Sequence, residues 1–346
     1  MAHKPLPIPP HFKEENVGQV WKVNYEQLAK KARQWATKFQ IPPAFADTYK
    51  ICLLGIDIQN TFCLPEFELF VGGRSGKGAV EDNIRLAKFI YRNLDVITQI
   101  VLTMDTHQVL QIFHAIFLID EEGNHPDPYT LVSVEDIESG KWKINPSVCK
   151  MLGWDPEFGQ RHLLHYTRQL RKSGKYNLTI WPYHAMLGGI GHAIVPAIEE
   201  AVFFHSIARY TQPQFEVKGN HPLTENYSVF GPEVKADPDG KTIGGRNEAL
   251  IQQLMGYDAI IIAGEAKSHC VAWSVEDLIS EFQKRDPQLV QRIYLLEDCT
   301  SPVVVPGVID YTEEANRTYQ KFAEAGAHIV RSTEPLSEWQ GIGART

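Results

Sequence analysis

The feature that most limits the fold is a pair of unbroken apolar runs, within Lys50–Asp57 (KICLLGID) and Asp258–Gly264 (DAIIIAG). A strand with one wet face alternates apolar and polar residues. A strand that is apolar along its length must be covered on both faces. Two such strands require a sheet with helices above and below it.

Helix and strand patterns alternate around these runs. Apolar residues at helical spacing mark Tyr25–Phe39, Val80–Asn93, Ile194–Ile207, Asn247–Met255, Val271–Phe282 and Tyr311–Ala325. Pro42 and Pro43 end the first, Pro196 falls in the first turn of the third, and Asp310 with Glu313 is expected to cap the last. Further strands are expected at Val96–Thr103, Asn177–Trp181, Phe215–Lys218, Arg292–Glu297 and Ala327–Val330. This order predicts an α/β fold, a mostly parallel sheet flanked by helices on both faces in three Rossmann-like layers. Residues 1–48 read as an N-terminal helical extension, 49–334 as the main domain and 335–346 as a C-terminal tail. Between about 115 and 175 the rhythm breaks into polar clusters such as EEGNHPDP and WDPEFGQ. That stretch is expected to be a large insertion or lid with short elements, not an independent domain.

At 346 residues the chain can bury a core without disulfides or structural metals. Its 34 basic and 42 acidic residues give a net charge of −8, which counts against nucleic acid or an anionic membrane surface as partner. The five cysteines, Cys52, Cys63, Cys149, Cys270 and Cys299, are odd in number and form no C-x-x-C, as expected in a reducing compartment. No leader-like apolar segment opens the sequence, and no window approaches the ~18 apolar residues of a membrane span. A soluble cytoplasmic protein is the expectation.

Sites in open parallel sheets gather at the carboxyl ends of the strands. Here those ends run into Asp57–Cys63, Thr103–His107, Trp181–His184 and Gly264–Cys270, so acid, imidazole and thiol groups converge on one edge. Cys270 opens a helix, where partial positive charge and free N–H groups lower a thiol pKa and can hold an oxyanion. The competing reading is a buried inert cysteine, which is also the reading for the other four. Asp57, after an apolar run, suits a general base or a turn. Asp105 and His107, two apart in extended backbone, point the same way and make half a divalent-metal site that His184 can extend. His114 and His125 lie on loop-like sequence and are expected to be solvated. Lys218 reads either as a surface lysine or as a cation that holds a thiolate.

Several motifs fail. GGRSGKG (72–78) does not meet the phosphate-loop spacing, DPDGKT (237–242) reads as a turn, and Gly188–Gly191 lacks the context of a dinucleotide fingerprint.

Five blocks in order resemble the nicotinamidase branch of the isochorismatase-like cysteine hydrolases, across roughly residues 50–330. They are DIQNTFC (57–63), TMDTH (103–107), WPYHAMLGGIG (181–191), VKG with NYSVF (217–219, 226–230) and GEAKSHCV (264–271). The resemblance implies a catalytic triad of Asp57, Lys218 and Cys270. It implies an oxyanion hole from the N–H groups of Ala266 and Cys270, and a cis peptide between Glu265 and Ala266. It implies metal ligands Asp105, His107 and His184 for zinc, iron or manganese, and a ring pocket lined by Phe62, Trp181 and Tyr227. The chain departs from the family pattern at Glu265, where an apolar residue is usual, at Lys267–Ser268, where Thr-Asp stands, and at Ala185, where cysteine is common. His114 lies seven residues beyond His107, too far to match the family's occasional further histidine.

The expected function is therefore hydrolysis of nicotinamide to nicotinate and ammonia through a cysteine thioester, feeding NAD salvage. One alternative is the same chemistry on another small amide or carbamoyl compound. The other is a non-catalytic binding member of the fold. The expected partner is a small-molecule amide, with a homo-oligomer left open.

Overall fold

The computed structural model describes residues 4–174 and 176–342. The first three residues of the N-terminal extension, Lys175 at the edge of the insertion and the last four residues of the C-terminal tail lie outside the described residues. The chain forms two compact units. The first comprises Met1–Met104, Ala193–Glu216 and Glu248–Thr346, the second Asp105–His192 and Val217–Asn247.

The first unit is built on six strands: β1 (Ile51–Ile56), β2 (Ile97–Asp105), β3 (Gln214–Lys218), β4 (Ala259–Gly264), β5 (Ile293–Leu296) and β6 (His328–Val330). Asp105 at the end of β2 and Val217–Lys218 at the end of β3 belong to the second unit. The order across the sheet is β6-β5-β4-β1-β2-β3. β1 runs parallel to β2 and β4, and β5 runs parallel to β4 and β6. Every residue of β1 and β4 is buried, as their apolar runs predict.

The helices of eight residues or more are α1 (Tyr25–Phe39), α2 (Gly78–Arg92), α3 (Pro156–Ser173), α4 (Pro196–Arg209), α5 (Glu248–Met255), α6 (Cys270–Arg285) and α7 (Thr312–Glu324). Connections β1→β2→β3 move one way across the sheet and β4→β5→β6 the other. Right-handed crossovers then put α2 and α4 on one face and α6 and α7 on the opposite face. The α1 helix, capped by Asn24 and ended by a left-handed Gln40, buries Leu28, Ala29 and Ala32. It lies against α4 through Tyr25 and Phe203, whose ring centres are 5.0 Å apart. Half of the expected capping pair forms at α7: Asp310 Oδ1 accepts Thr312 N–H at 2.9 Å, while Glu313 turns to Arg74 at 2.9 Å, which also holds Asp310 Oδ2 at 2.7 Å.

The second unit contains α3, an 18-residue helix where the sequence predicts only short elements. Its start is written as Asp155 capping Glu157 N–H with Pro156 in the first turn. Its buried face is Gly159, His162, Leu163, Tyr166, Thr167 and Leu170, and the polar members of that face mask the apolar stripe. The expected strand Asn177–Trp181 does not enter the central sheet. Only Leu178–Thr179 is extended, paired antiparallel with Leu131–Val132. Ile180 and Trp181 spend their N–H groups locally, on Thr130 and Phe113 carbonyls.

The α3 helix grips the segment after β3 at four points. His162 Nε2 meets Leu223 O at 3.1 Å and His165 Nε2 meets Ala236 O at 3.0 Å. Tyr166 OH accepts from Glu225 N–H at 3.2 Å, and Arg161 pairs with Asp239 at 2.9 Å. DPDGKT is a turn, in which Asp237 Oδ1 accepts from the N–H groups of Asp239 and Lys241. All five cysteines are buried. Among the described residues no helix is long and apolar enough to cross a membrane.

Candidate active site

In the first unit, strand order reverses between β1 and β4, and Ile56 stands opposite Gly264 in register. Open α/β sheets bind ligands at such a reversal. Gly264 has φ +117°, and a Cβ there would collide with the Ile56 carbonyl, so only glycine lets these strand ends close. Asp57 leaves β1 with φ +47°, a left-handed conformation uncommon outside glycine and better tolerated by aspartate. It is fully buried. Its N–H donates to Thr103 Oγ1 at 3.0 Å, and the Thr103 hydroxyl donates back to Asp57 Oδ1.

The chain leaves β4 through a tight turn. Glu265 N–H donates to Ile56 O at 2.8 Å, and the Glu265–Ala266 peptide is cis, as the family resemblance implies. Ala266 O accepts from His269 N–H and Val271 N–H, which delivers Cys270 to the first position of α6 at 8 % exposure. The departures at 267 and 268 find uses in this turn. Lys267 N–H donates to Ser301 O at 2.8 Å, and Ser268 Oγ accepts Val303 N–H at 3.0 Å. Phe62 is buried on the short helix Asn60–Cys63 that follows Asp57.

The remaining site residues of the sequence reading belong to the second unit: Asp105, His107, Trp181, His184, Lys218 and Tyr227. Thr106 N–H donates to Lys218 O, which aligns the ends of β2 and β3. Asp105 Oδ1 lies 3.1 Å from His107 Nε2 and 3.1 Å from Lys218 Nζ, and Asp105 Oδ2 lies 3.9 Å from His184 Nε2. Lys218 Nζ also donates to Asn226 O at 2.8 Å.

His114 corrects the sequence reading. It is fully buried, and the ligand nitrogens of His107, His114 and His184 lie within 4.8 Å of one another. Gln111 produces this return of the chain. Its side chain accepts Gln108 N–H, its carbonyl accepts His114 N–H, and its amide donates to Gly219 O. His114 then bridges to Trp181. His125 is exposed, as expected.

Burial holds His184 down at about 3, with His107 adding to the effect. Burial and His107 likewise bring His114 to about 4. Both are neutral imidazoles at neutral pH, the form that ligates metals. Burial pushes Asp105 upward, but His107 and Lys218 outweigh it and hold the carboxyl well below the usual range.

The residues fit a divalent ion. His114 Nε2 is buried and has no hydrogen-bond partner among the described residues. Gly219, at φ +83°, leaves a gap in which a Cβ would lie 2.5 Å from Asp105 Oδ1 and 3.2 Å from His107 Nε2. Three imidazoles and a carboxylate suit zinc or a comparable transition metal.

Trp181 Nε1 donates to Glu225 Oε1 at 2.8 Å and approaches Tyr227 OH at 3.2 Å. Burial, then the nearby Glu233, pushes the Glu225 carboxyl well above its ordinary range. Sequence reasoning missed Glu225. Its signal was a buried tryptophan that needs an acceptor for its N–H.

No family model and no curated protein matches the chain. Among solved structures it is similar to an Acinetobacter baumanii nicotinamidase pyrazinamidase, at 19% identity and TM-score 0.48, covering 83% of this chain and 98% of that one. It is similar to the yeast nicotinamidase bound to the inhibitor nicotinaldehyde, at 17% identity and TM-score 0.49, covering 81% and 99%. It is also similar to the pyrazinamidase of Pyrococcus horikoshii in complex with zinc, at 17% identity and TM-score 0.42, covering 82% and 99%.

Proposed function

We propose that the protein is a cysteine amidohydrolase that converts nicotinamide to nicotinate and ammonia. The observation that carries this reading is the buried trio His107, His114 and His184 beside Asp105. With Asp105 these residues would hold a divalent ion, zinc, iron or manganese. When bound, it would supply a Lewis acid for a pyridine nitrogen and so orient the ring. An aromatic ring nitrogen is a ligand that such an ion takes readily, which favours a pyridine carboxamide.

In this reading Asp57 takes the Cys270 thiol proton as sulfur bonds to the amide carbon, and the carbonyl electron pair moves onto oxygen. The N–H groups of Ala266 and Cys270 receive that oxyanion. Asp57 then hands its proton to the departing nitrogen, ammonia leaves, and a thioester remains. Water attacks the thioester, Asp57 takes its proton, and nicotinate departs as the thiol is restored. The family resemblance would give Lys218 the charge-stabilising role and Phe62, Trp181 and Tyr227 the contacts to the ring. The nicotinate released would return to pyridine nucleotide synthesis.

Glu225 favours a second reading on one point. A buried carboxyl at Trp181 and Tyr227 can select another small amide in place of nicotinamide. Ammonia release from nicotinamide and from a panel of amides separates the two, with Cys270→Ala as control. Release by the wild type and a loss of about 1,000-fold or more in Cys270→Ala is expected. No release from nicotinamide by metal-loaded wild type sinks the first reading.

A further inference from the structure

The loop that presents Cys270 carries an acid that the proposed chemistry does not use. Glu265 is 1 % exposed and Asp82, on α2, is 3 % exposed. Ser301 joins them: its hydroxyl donates to Asp82 Oδ2 at 2.6 Å and its N–H donates to Glu265 Oε2 at 3.1 Å. Arg85 Nη2 donates to Asp82 Oδ1 at 2.7 Å and its Nε donates to Asp298 O. Glu265 Oε1 has no N–H or hydroxyl donor among the described residues. The Asp82 carboxyl is its acidic neighbour, held to the same serine. Two carboxylates meet one half-buried arginine, and the nearby Lys267 ammonium spends its hydrogen bond on Asn316 Oδ1 at 2.9 Å, so a proton shared between the acids lowers the negative charge of a dry site.

We propose that Glu265 and Asp82 share one proton, and that this bond, with Ser301, fastens the Glu265–Cys270 turn to α2 so that its N–H groups stay aimed at the substrate oxygen. Glu265 is thus a positioning residue, and the inference rests on the amidohydrolase reading.

Besides Arg85, the ionisable groups around the pair are Cys63, Cys299, Asp298, Tyr319 and Lys267. Burial lowers the pKa of Lys267, a second group that titrates on the alkaline side, and the Glu265→Gln comparison separates it from the pair. Burial pushes both thiols and the Tyr319 phenol upward, so they stay neutral. Burial raises the Glu265 carboxyl well above its ordinary range, with Asp82 adding to it. A carboxyl raised in the folded state favours folding below its unfolded value, and the advantage is lost as pH rises toward the folded value. Loss of the shared proton sets two carboxylates against each other beneath the turn.

The test compares wild type, Glu265→Gln and Glu265→Ala in kcat and KM for nicotinamide across pH. It adds binding of pyridine-3-carbaldehyde, whose adduct with the Cys270 sulfur places an oxyanion at the same donors, and of nicotinate. Glu265→Ala should lower kcat and aldehyde affinity about tenfold or more, with KM and nicotinate affinity held within about twofold. Glu265→Gln is neutral at every pH and still bonds Ser301 and Asp82. It should keep kcat within about threefold of wild type at neutral pH and lose the wild type's decline at alkaline pH. Unchanged kcat and aldehyde affinity in Glu265→Ala, or the same alkaline decline in Glu265→Gln, overturns the inference. A wild type that releases no ammonia from any amide overturns the amidohydrolase reading instead. The shared proton then rests on urea denaturation across pH. There Glu265→Gln must flatten the wild type's loss of stability with rising pH, and equal slopes overturn it.

Discussion

His114 is bonded on one ring nitrogen, Nδ1 to Val109 O at 3.1 Å, and carries a cost on the other. A buried ring nitrogen without a partner costs about 1–3 kcal/mol, and His114 Nε2 is in that condition among the described residues. A bound ion is the group that would complete it. His114→Ala should therefore weaken metal binding by on the order of tenfold or more, read as metal retained per chain after dialysis, while far-ultraviolet circular dichroism stays the same. Full metal retention in that variant would remove His114 from the ligand set. The sequence makes Asp105 and His107 visible as a pair because their spacing is short and extended backbone fixes where they point. His114 is hidden because a side chain, Gln111, turns the chain back, and no local periodicity records a turn of that kind.

At the scale of elements, legibility follows the purity of the buried face. The α1 helix is read to its end residues because its stripe is apolar and Pro42 and Pro43 follow it. β1 and β4 are read from their unbroken apolar runs. The α3 helix is missed because glycine, histidine and threonine occupy its buried face, where His162 meets Leu223 O and Thr167 bonds back to Leu163 O. Gly159 marks how tightly that face is packed. A Cβ there would lie 2.6 Å from Cys149 Sγ and 2.9 Å from Ile144 Cδ1. Gly159→Ala gains helix propensity but overpacks this contact, so it should lower stability by about 1–3 kcal/mol. A urea midpoint equal to or above that of wild type would show that the neighbours yield.

At the scale of the molecule, an ion bound at the proposed site of the second unit would stabilise the folded state by mass action. Free metal at 1,000 times its dissociation constant is worth about 4 kcal/mol. Stripping it with a chelator should lower the melting temperature, and adding zinc back should restore it. A melting temperature indifferent to both would argue against a resident ion. The division of the chain also sets an order of events during synthesis. The second unit is written in two segments, with Ala193–Glu216 of the first unit between them. Its three histidines and Asp105 are all made before residue 193, whereas Lys218, Glu225 and Tyr227 come after residue 216. Ribosomes add about 5–20 residues per second. For a second or more the nascent chain thus has every residue of the proposed metal site and lacks the lysine that faces Asp105. An ion bound at that proposed site would be taken up while the protein is still being made, before the segment that α3 grips has left the ribosome.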